Sequence, residues 1–131
     1  QDCAHVVQAA AGGRGADVVY DPVGGEAYAG CTGCIAFEGR ILVVGFAGGT
    51  IQAPQLGHVL VKNYSIVGLH WGLYKQQDPA AVAAAHTELT ALAADGVIAP
   101  VVGGRIPFEA AAEGLTRLAA GDTVGRLVVL P

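Results

Sequence analysis

The feature that most constrains the fold of this chain is a series of short runs of apolar and β-branched residues. These runs end at glycine or proline. The clearest run covers residues 40–45, and similar runs lie at 16–21, 64–70 and 125–130. Continuous apolar runs of this length are typical of strands that are covered on both faces, as in a parallel sheet. The composition agrees with such a sheet and argues against disorder, because 53% of the residues are hydrophobic and only 14% are charged.

Segments with helical patterns alternate with these runs. Asp78 followed by Pro79 is typical of a helix N-terminus, and apolar residues then recur at helical spacing until Asp95 and Gly96. The recurring residues are Val82, Ala85, His86, Leu89, Leu92 and Ala93. Further helices are predicted at 2–11, 26–37, 55–62 and 108–119, and a further strand at 100–106. The alternation predicts an α/β fold with right-handed crossovers and a largely parallel sheet.

The charge of the chain and the length of its apolar runs exclude several classes of protein. The net charge is −4 at pH 7, so no basic surface is expected to attract nucleic acid or an acidic membrane. No apolar run approaches the roughly 20 residues of a membrane helix. Three cysteines do not suggest a disulfide framework and favour a reducing, cytoplasmic setting. The start at Gln1, without Met or a signal-peptide pattern, favours a fragment or a processed product.

Glycine-rich segments follow three of the predicted strands, at 21–25, 45–49 and 69–72. In open α/β sheets, ligands bind outside the carboxyl ends of the strands. Glycine lets the backbone approach a flat ligand closely, and backbone N–H and C=O groups can then clasp an amide. Each segment by itself is more typical of a simple turn. Three such segments at successive strand ends favour a binding site.

The chain resembles the medium-chain dehydrogenase/reductase superfamily. Residues 15–25 are similar to the fourth strand of its nucleotide-binding domain, residues 38–46 to the fifth and residues 62–68 to the sixth. Residues 104–111 and 125–129 are similar to the return of the chain into the catalytic domain. The resemblance is strongest to the zinc-free quinone-oxidoreductase branch.

This resemblance implies that residues 1–98 are the second half of a Rossmann-type doubly wound parallel sheet, and that residues 99–131 are the return segment of the catalytic domain. It implies NADPH or NADH as cofactor, with NADPH favoured, and hydride transfer to a quinone, enone or enoyl thioester without a metal. It also implies a homodimer through the strand at 64–70. The residues implied to lie near the nicotinamide are Val23, Gly24, Gly25, Val44, Gly45, Phe46, Ala47, Leu69, His70 and Trp71.

Much of the machinery of such an enzyme is not encoded in the chain. The sequence contains no G-x-G-x-x-G on a strand-to-helix turn, no ribose-selecting residue after a second strand and no amino-terminal catalytic domain. The chain alone is therefore expected to be inactive and to bind the nucleotide poorly. No residue is assigned as the catalytic acid.

The cysteine pair Cys31 and Cys34 matches the pattern C-x-x-C, which is found in structural zinc sites. Such a site needs four ligands, and only Cys3 and scattered histidines remain to complete it. Since the pair also falls within a predicted helix, we interpret it as two small buried thiols. No metal site is predicted.

Several other residues have two interpretations. Asp21 either caps the turn that follows the first strand or positions a ribose or an amide. His70 is a candidate contact with cofactor or substrate, whereas His86 is interpreted as a packing residue of its helix. Trp71 and Tyr74 either line a substrate pocket or cover a subunit interface.

Two further functions remain open at this stage. One is a non-catalytic module that keeps the half-domain for dimerisation or dinucleotide sensing. The other is an alcohol dehydrogenase relative whose metal ligands lie upstream. The upstream sequence would distinguish them, through a degenerate glycine-rich turn in the first case and a Cys/His ligand set in the second.

Overall fold

A computed structural model describes residues 3–131, which form two compact units that divide between Gln77 and Asp78. The first unit contains a parallel three-stranded sheet in the order β1-β2-β3. No helix of the described residues is long and apolar enough to cross a membrane. The elements of the first unit are α1 (Cys3–Ala10), β1 (Ala16–Asp21), α2 (Gly25–Cys34), β2 (Ile35–Val43), α3 (Leu56–Lys62), β3 (Ser65–Gly68) and α4 (Trp71–Gln77).

The hydrophobic core of this unit is centred on Ile41, whose side chain is 0% exposed. Ile41 is in β2, the central strand, and it pairs with Val19 of β1 and Ile66 of β3. Tyr28 of α2 and Tyr64, which precedes β3, are buried in the same cluster. One face of the sheet is thus covered, whereas Val18, Tyr20 and Val67 on the other face are exposed in the described residues. The strands are parallel and alternate with helices, so the predicted α/β class is confirmed.

The prediction of a helix over 26–37 is wrong in its last three residues. The helix α2 ends at Cys34, and Ile35, Ala36 and Phe37 begin the strand β2. Ile35 and Ala36 are buried, and Ile35 pairs with Ala16 of β1. Burial and strand pairing therefore override the helical pattern in these residues. At its other end β2 stops at Val43, so residues 44 and 45 belong to the loop that follows and not to the strand.

The second unit consists of α5 (Pro79–Ala94), β4 (Val102–Pro107), a 3-10 turn (Phe108–Ala110), α6 (Ala111–Ala119) and β5 (Arg126–Leu130). β4 and β5 pair in parallel. The predicted N-terminus of α5 is confirmed, because the Asp78 carboxylate accepts a hydrogen bond from the Ala81 N–H at 3.0 Å. The predicted boundary between residues 98 and 99 separates the nucleotide-binding part from the return segment that the family resemblance implies, and it stays a prediction. The compact units of the structure divide between Gln77 and Asp78.

Candidate functional site

The three glycine-rich segments lie side by side at one edge of the sheet in the first unit. The Val44 N–H donates to the Asp21 carbonyl at 2.9 Å, which joins the ends of β2 and β1. The Leu69 N–H donates to the Val43 carbonyl at 2.9 Å, which joins the ends of β3 and β2. The strand ends that the sequence singled out are therefore adjacent, as parallel pairing requires.

The segments that follow β1 and β2 also hydrogen-bond to each other beyond the strands. The Ala47 N–H donates to the Pro22 carbonyl at 3.0 Å, and the Gly48 N–H donates to the Val23 carbonyl at 2.9 Å. A Cβ atom at Gly45 would lie 3.2 Å from the Pro22 carbonyl oxygen. The glycine at position 45 thus makes room for the neighbouring turn, and not only for a ligand as the sequence suggested.

Asp21 organises the turn after β1. Its side chain is 3% exposed, and its Oδ1 accepts hydrogen bonds from the N–H groups of Val23 at 3.0 Å and of Gly24 at 2.8 Å. These bonds confirm that Asp21 caps the turn, one of its two interpretations. Its second oxygen, Oδ2, is buried without a hydrogen-bond partner.

Gly24 occupies a backbone conformation that only glycine adopts readily, with φ at 74° and ψ at −164°. A Cβ atom there would lie 2.8 Å from Gln52 Oε1 and 2.9 Å from the Thr50 carbonyl oxygen. The segment around residues 50–52 therefore packs directly against the turn. Gly24 and Gly25 are required by this packing, whatever binds at the edge of the sheet.

The segment after β3 is different, because it passes directly into a helix. Leu69 is half-buried and His70 is exposed, and the His70 carbonyl accepts a hydrogen bond from the Leu73 N–H at 3.0 Å. Trp71 and Tyr74 lie on α4 with their ring centroids 5.3 Å apart. This helix was not predicted from the sequence, because its seven residues lack a clear apolar periodicity. Both interpretations of the aromatic pair stay open.

A cavity of about 630 Å³ opens beside the strand-end segments. Of the ten residues predicted to bind the cofactor, only Gly25 lines it. The cavity was not predicted from the sequence, because its residues come from separate segments and have no common motif. The lining residues are Gly25, Glu26, Tyr28, Ala29, Thr32, Thr50, Ile51, Gln52, Ala53, Gln55, His58 and Tyr64.

Two polar atoms of the lining residues are buried out of reach of solvent, the Tyr28 hydroxyl and Gln52 Oε1. Burial raises the pKa of Tyr28 to about 12, and a side-chain hydrogen bond with Tyr64 and the charges of Tyr64 and Asp21 add to the shift. The Tyr28 hydroxyl therefore keeps its proton at any physiological pH. The Tyr64 hydroxyl also lies 3.3 Å from His58 Nδ1, within hydrogen-bonding distance.

The cysteine pair lies on α2, as predicted, with Cys34 buried and Cys31 half-buried. Burial raises the pKa of the Cys31 thiol, with smaller contributions from Cys34, Asp21 and Cys3, so the reactive thiolate is disfavoured. Within residues 3–131, no group of three or more His, Cys, Asp or Glu side chains is placed to hold a metal ion. His86 is exposed, so its interpretation as a packing residue is wrong for this chain by itself.

The chain is similar in sequence or in fold to several known proteins. The sequence is 33% identical to quinone oxidoreductase-like protein 2 of Bos taurus over 118 residues, which cover 90% of this chain and 34% of that protein. The fold is similar to that of a probable oxidoreductase from Mycobacterium abscessus, with a TM-score of 0.77, 31% identity and coverage of 98% of this chain and 37% of the other. A mycobacterial protein solved in complex with NADPH matches with a TM-score of 0.83, 25% identity and coverage of 98% and 40%.

The chain spans about a third of the length of the curated relatives that match most of it. The matches confirm the resemblance to the quinone-oxidoreductase branch of the medium-chain dehydrogenase/reductase superfamily. They also confirm the Rossmann-like character of the parallel sheet. Residues 1–129 match the family described as zinc-binding dehydrogenase, and the chain belongs to that family.

Proposed function

We propose that this chain is the carboxy-terminal part of an NADPH-dependent oxidoreductase that reduces a quinone, an enone or an enoyl thioester. One observation carries the proposal: the three strand-end segments lie side by side at one edge of the sheet. The relatives support it, because they include quinone oxidoreductase-like proteins and a protein solved with NADPH. We call the longer protein that contains this chain the full-length protein.

The backbone at the strand ends has the groups that a carboxamide needs. The N–H groups of Phe46 and His70 and the carbonyl of Val44 make no hydrogen bond within residues 3–131. A carboxamide offers both a donor and an acceptor, so these groups are suited to orient the nicotinamide ring of the cofactor. The bound cofactor would supply the hydride, and this chain would hold the ring in position.

The test of the proposal is NADPH oxidation by the full-length protein, with a quinone, an enone and an enoyl thioester as separate substrates. We expect turnover with at least one of them and none without substrate. Absence of NADPH consumption with all three, in a folded protein that binds NADPH, would favour the non-catalytic dinucleotide-sensing module instead.

A zinc-dependent alcohol dehydrogenase is the second candidate function, because the matching family is described as zinc-binding dehydrogenase. Dialysis of the full-length protein against a strong chelator separates the two. We expect turnover to persist, because the described residues offer no ligand set and the branch that the chain resembles works without metal. Loss of turnover that added zinc restores would support the alcohol dehydrogenase.

We also propose that the full-length protein is a homodimer that pairs through β3. This strand is at the edge of its sheet, and an apolar edge strand favours pairing with another chain. Pairing of two like edges is a common way to close a two-fold interface. The Leu69 N–H points to β2, where it donates to the Val43 carbonyl. Because N–H directions alternate along a strand, the Val67 N–H also points to β2. The N–H groups of Ile66 and Gly68 therefore point away from β2, to the open edge of the sheet.

Gly68→Pro tests this dimer, because it removes a donor that faces outward, at a position where a Cβ atom meets nothing within 4 Å. We expect the variant to be folded and monomeric at tens of micromolar in analytical ultracentrifugation. Val67→Pro is the matched control, and we expect it to damage the sheet itself. A Gly68→Pro variant that is folded and still dimeric would place the interface elsewhere.

A further inference from the structure

The reduction of a quinone, an enone or an enoyl thioester needs a proton as well as a hydride. When such a substrate accepts the hydride, the electron pair of a C=C or C=O double bond moves to a substrate oxygen and leaves an oxyanion there. A side chain that gives this oxygen a proton typically contributes about 100- to 10,000-fold to the rate. The donor has to lie at the edge of the sheet where the proposed function places the nicotinamide.

The strand-end segments contain few side chains that can donate a proton. Within residues 21–25, 45–49 and 69–72, only Asp21 and His70 have acidic or basic side chains. Asp21 is 3% exposed, and backbone N–H groups of its own turn occupy its Oδ1, so a substrate cannot reach it. His70 is exposed. Histidine is also the side chain that most often acts as a general acid or base.

The backbone of His70 places its side chain beside the position proposed for the nicotinamide. The Leu69 N–H donates to the Val43 carbonyl at 2.9 Å, so His70 is the first residue beyond the pairing of β3 with β2. The His70 carbonyl accepts from the Leu73 N–H at 3.0 Å, which fixes the residue at the start of α4. The N–H of His70 is one of the groups proposed to orient the carboxamide. The imidazole therefore belongs to a residue that contacts the cofactor.

The His70 ring lies against the first turn of α4. A Cβ atom at Gly72 would be 3.3 Å from His70 Nε2 and 3.6 Å from its Cδ2, so the glycine leaves the room that this ring position needs. Within residues 3–131, neither ring nitrogen of His70 has a hydrogen-bond partner. The ring is thus positioned by packing, and its N–H groups remain available to a substrate and to water.

We propose that His70 is the proton donor of the reductase, a role that rests on the proposed function. As the oxyanion forms on the substrate, an N–H bond of the protonated imidazole breaks and an O–H bond of the product forms. The neutral imidazole then takes up a proton from solvent, so each cycle consumes one hydride and one proton. An enol formed in this way from an enone or an enoyl thioester converts to the saturated carbonyl compound in water.

The test uses the full-length protein with NADPH and three probes: 1,4-naphthoquinone, cyclohexenone and crotonyl-coenzyme A. His70→Gln keeps the backbone N–H and a polar side chain but removes the acidic proton. His86→Gln is the matched control, because His86 is also exposed but lies on α5 in the second unit. The turnover number and the dissociation constant of NADPH are measured separately for each variant. His70→Ala is assayed with and without added imidazole, which can replace the missing ring.

We expect His70→Gln to lower the turnover number by about 100-fold or more, as is typical for loss of a general acid. The dissociation constant of NADPH should stay the same, because the backbone N–H is retained. His86→Gln should match the unsubstituted protein in both measurements. Added imidazole should restore part of the turnover of His70→Ala and should not raise that of the unsubstituted protein.

An unchanged turnover number in His70→Gln would overturn the proposal and leave the reductase function standing. So would a loss of turnover that comes with weaker binding of NADPH and that imidazole does not relieve in His70→Ala, because His70 would then be only a binding contact. An unsubstituted protein that turns over none of the three probes would overturn the proposed function itself, and the role of His70 with it.

Discussion

The two compact units of the chain differ sharply in how much of their own apolar surface they bury. The first unit contains every buried hydrophobic side chain of residues 3–131, with Ile41 fully enclosed. In the second unit Gly114 is the one buried residue, and Phe108, Leu115 and Leu118 near α6 are all exposed. The first unit therefore has a core that can hold its strand-end segments in place, and the second lacks one.

The exposed surface of the second unit has a defined shape. A cavity of about 320 Å³ lies between α6 and the β4–β5 pair, lined mainly by apolar residues such as Ile106, Leu118 and Leu127. Apolar surface of this kind usually marks a contact with another segment or chain. The difference between the units indicates that the first unit has a hydrophobic core of its own, whereas the apolar surface of the second is available for contact with another segment or chain.

The largest effect that we expect from the comparison is on the unfolding free energy of the isolated chain. Ile41→Ala should lower it by about 2–5 kcal/mol, because the substitution leaves a cavity in the core of the first unit. Leu118→Ala in the second unit should cost less than about 1 kcal/mol, since Leu118 is 55% exposed. Urea denaturation of both variants measures the difference, and similar losses would show that the second unit has a core of its own.

A smaller effect concerns Tyr28, whose pKa of about 12 exceeds the ordinary tyrosine value near 10. Between these two pH values the unfolded chain loses the proton and the folded chain keeps it, so the stability of the first unit falls as pH rises. The full shift corresponds to at most about 3 kcal/mol.

The Tyr28→Phe variant removes this part of the pH dependence. Denaturation from about pH 9 to about pH 12 should therefore give a shallower decline for Tyr28→Phe than for the unsubstituted chain, with Tyr20→Phe unchanged. If the Tyr28→Phe and unsubstituted curves are parallel, Tyr28 is not enclosed as described.

The smallest effect compares two glycines with similar values of φ. Gly24 has φ at +74° in the first unit and Gly121 has φ at +76° in the second, but a Cβ atom meets nothing within 4 Å at Gly121. Replacement by alanine strains the positive φ at each site by about 1 kcal/mol or more, and Gly24→Ala should cost at least about 1 kcal/mol more than Gly121→Ala, because its ψ is also unfavourable for alanine and its Cβ presses on residues 50 and 52. Equal losses in thermal denaturation would show that the packing around Gly24 is loose.

The strands were predictable where local sequence and tertiary pairing agree. β1 has the predicted bounds, and the Asp78 cap of α5 follows directly from its sequence. The edge shared by the three strand ends was also predictable, because parallel pairing brings the carboxyl ends of β1, β2 and β3 together.

The remaining features depend on contacts that no local pattern records. The strand β2 begins at Ile35 because that residue is buried and pairs with Ala16, although the local sequence pattern predicts a helix. The cavity combines Tyr28, Gln52 and Tyr64, which come from three segments with no common spacing. The exposure of the α6 face could not be predicted either, because an amphipathic pattern indicates which side is apolar and not what covers it.

The central claim is that the strand-end segments of the first unit hold the nicotinamide of NADPH. A crystal structure of the full-length protein with NADPH tests it most directly. We expect the carboxamide of the nicotinamide to lie within about 3.2 Å of backbone N–H or C=O groups in residues 44–47 and 69–71, a normal hydrogen-bond distance. A nicotinamide bound away from both segments, with the chain folded as described, would contradict the account.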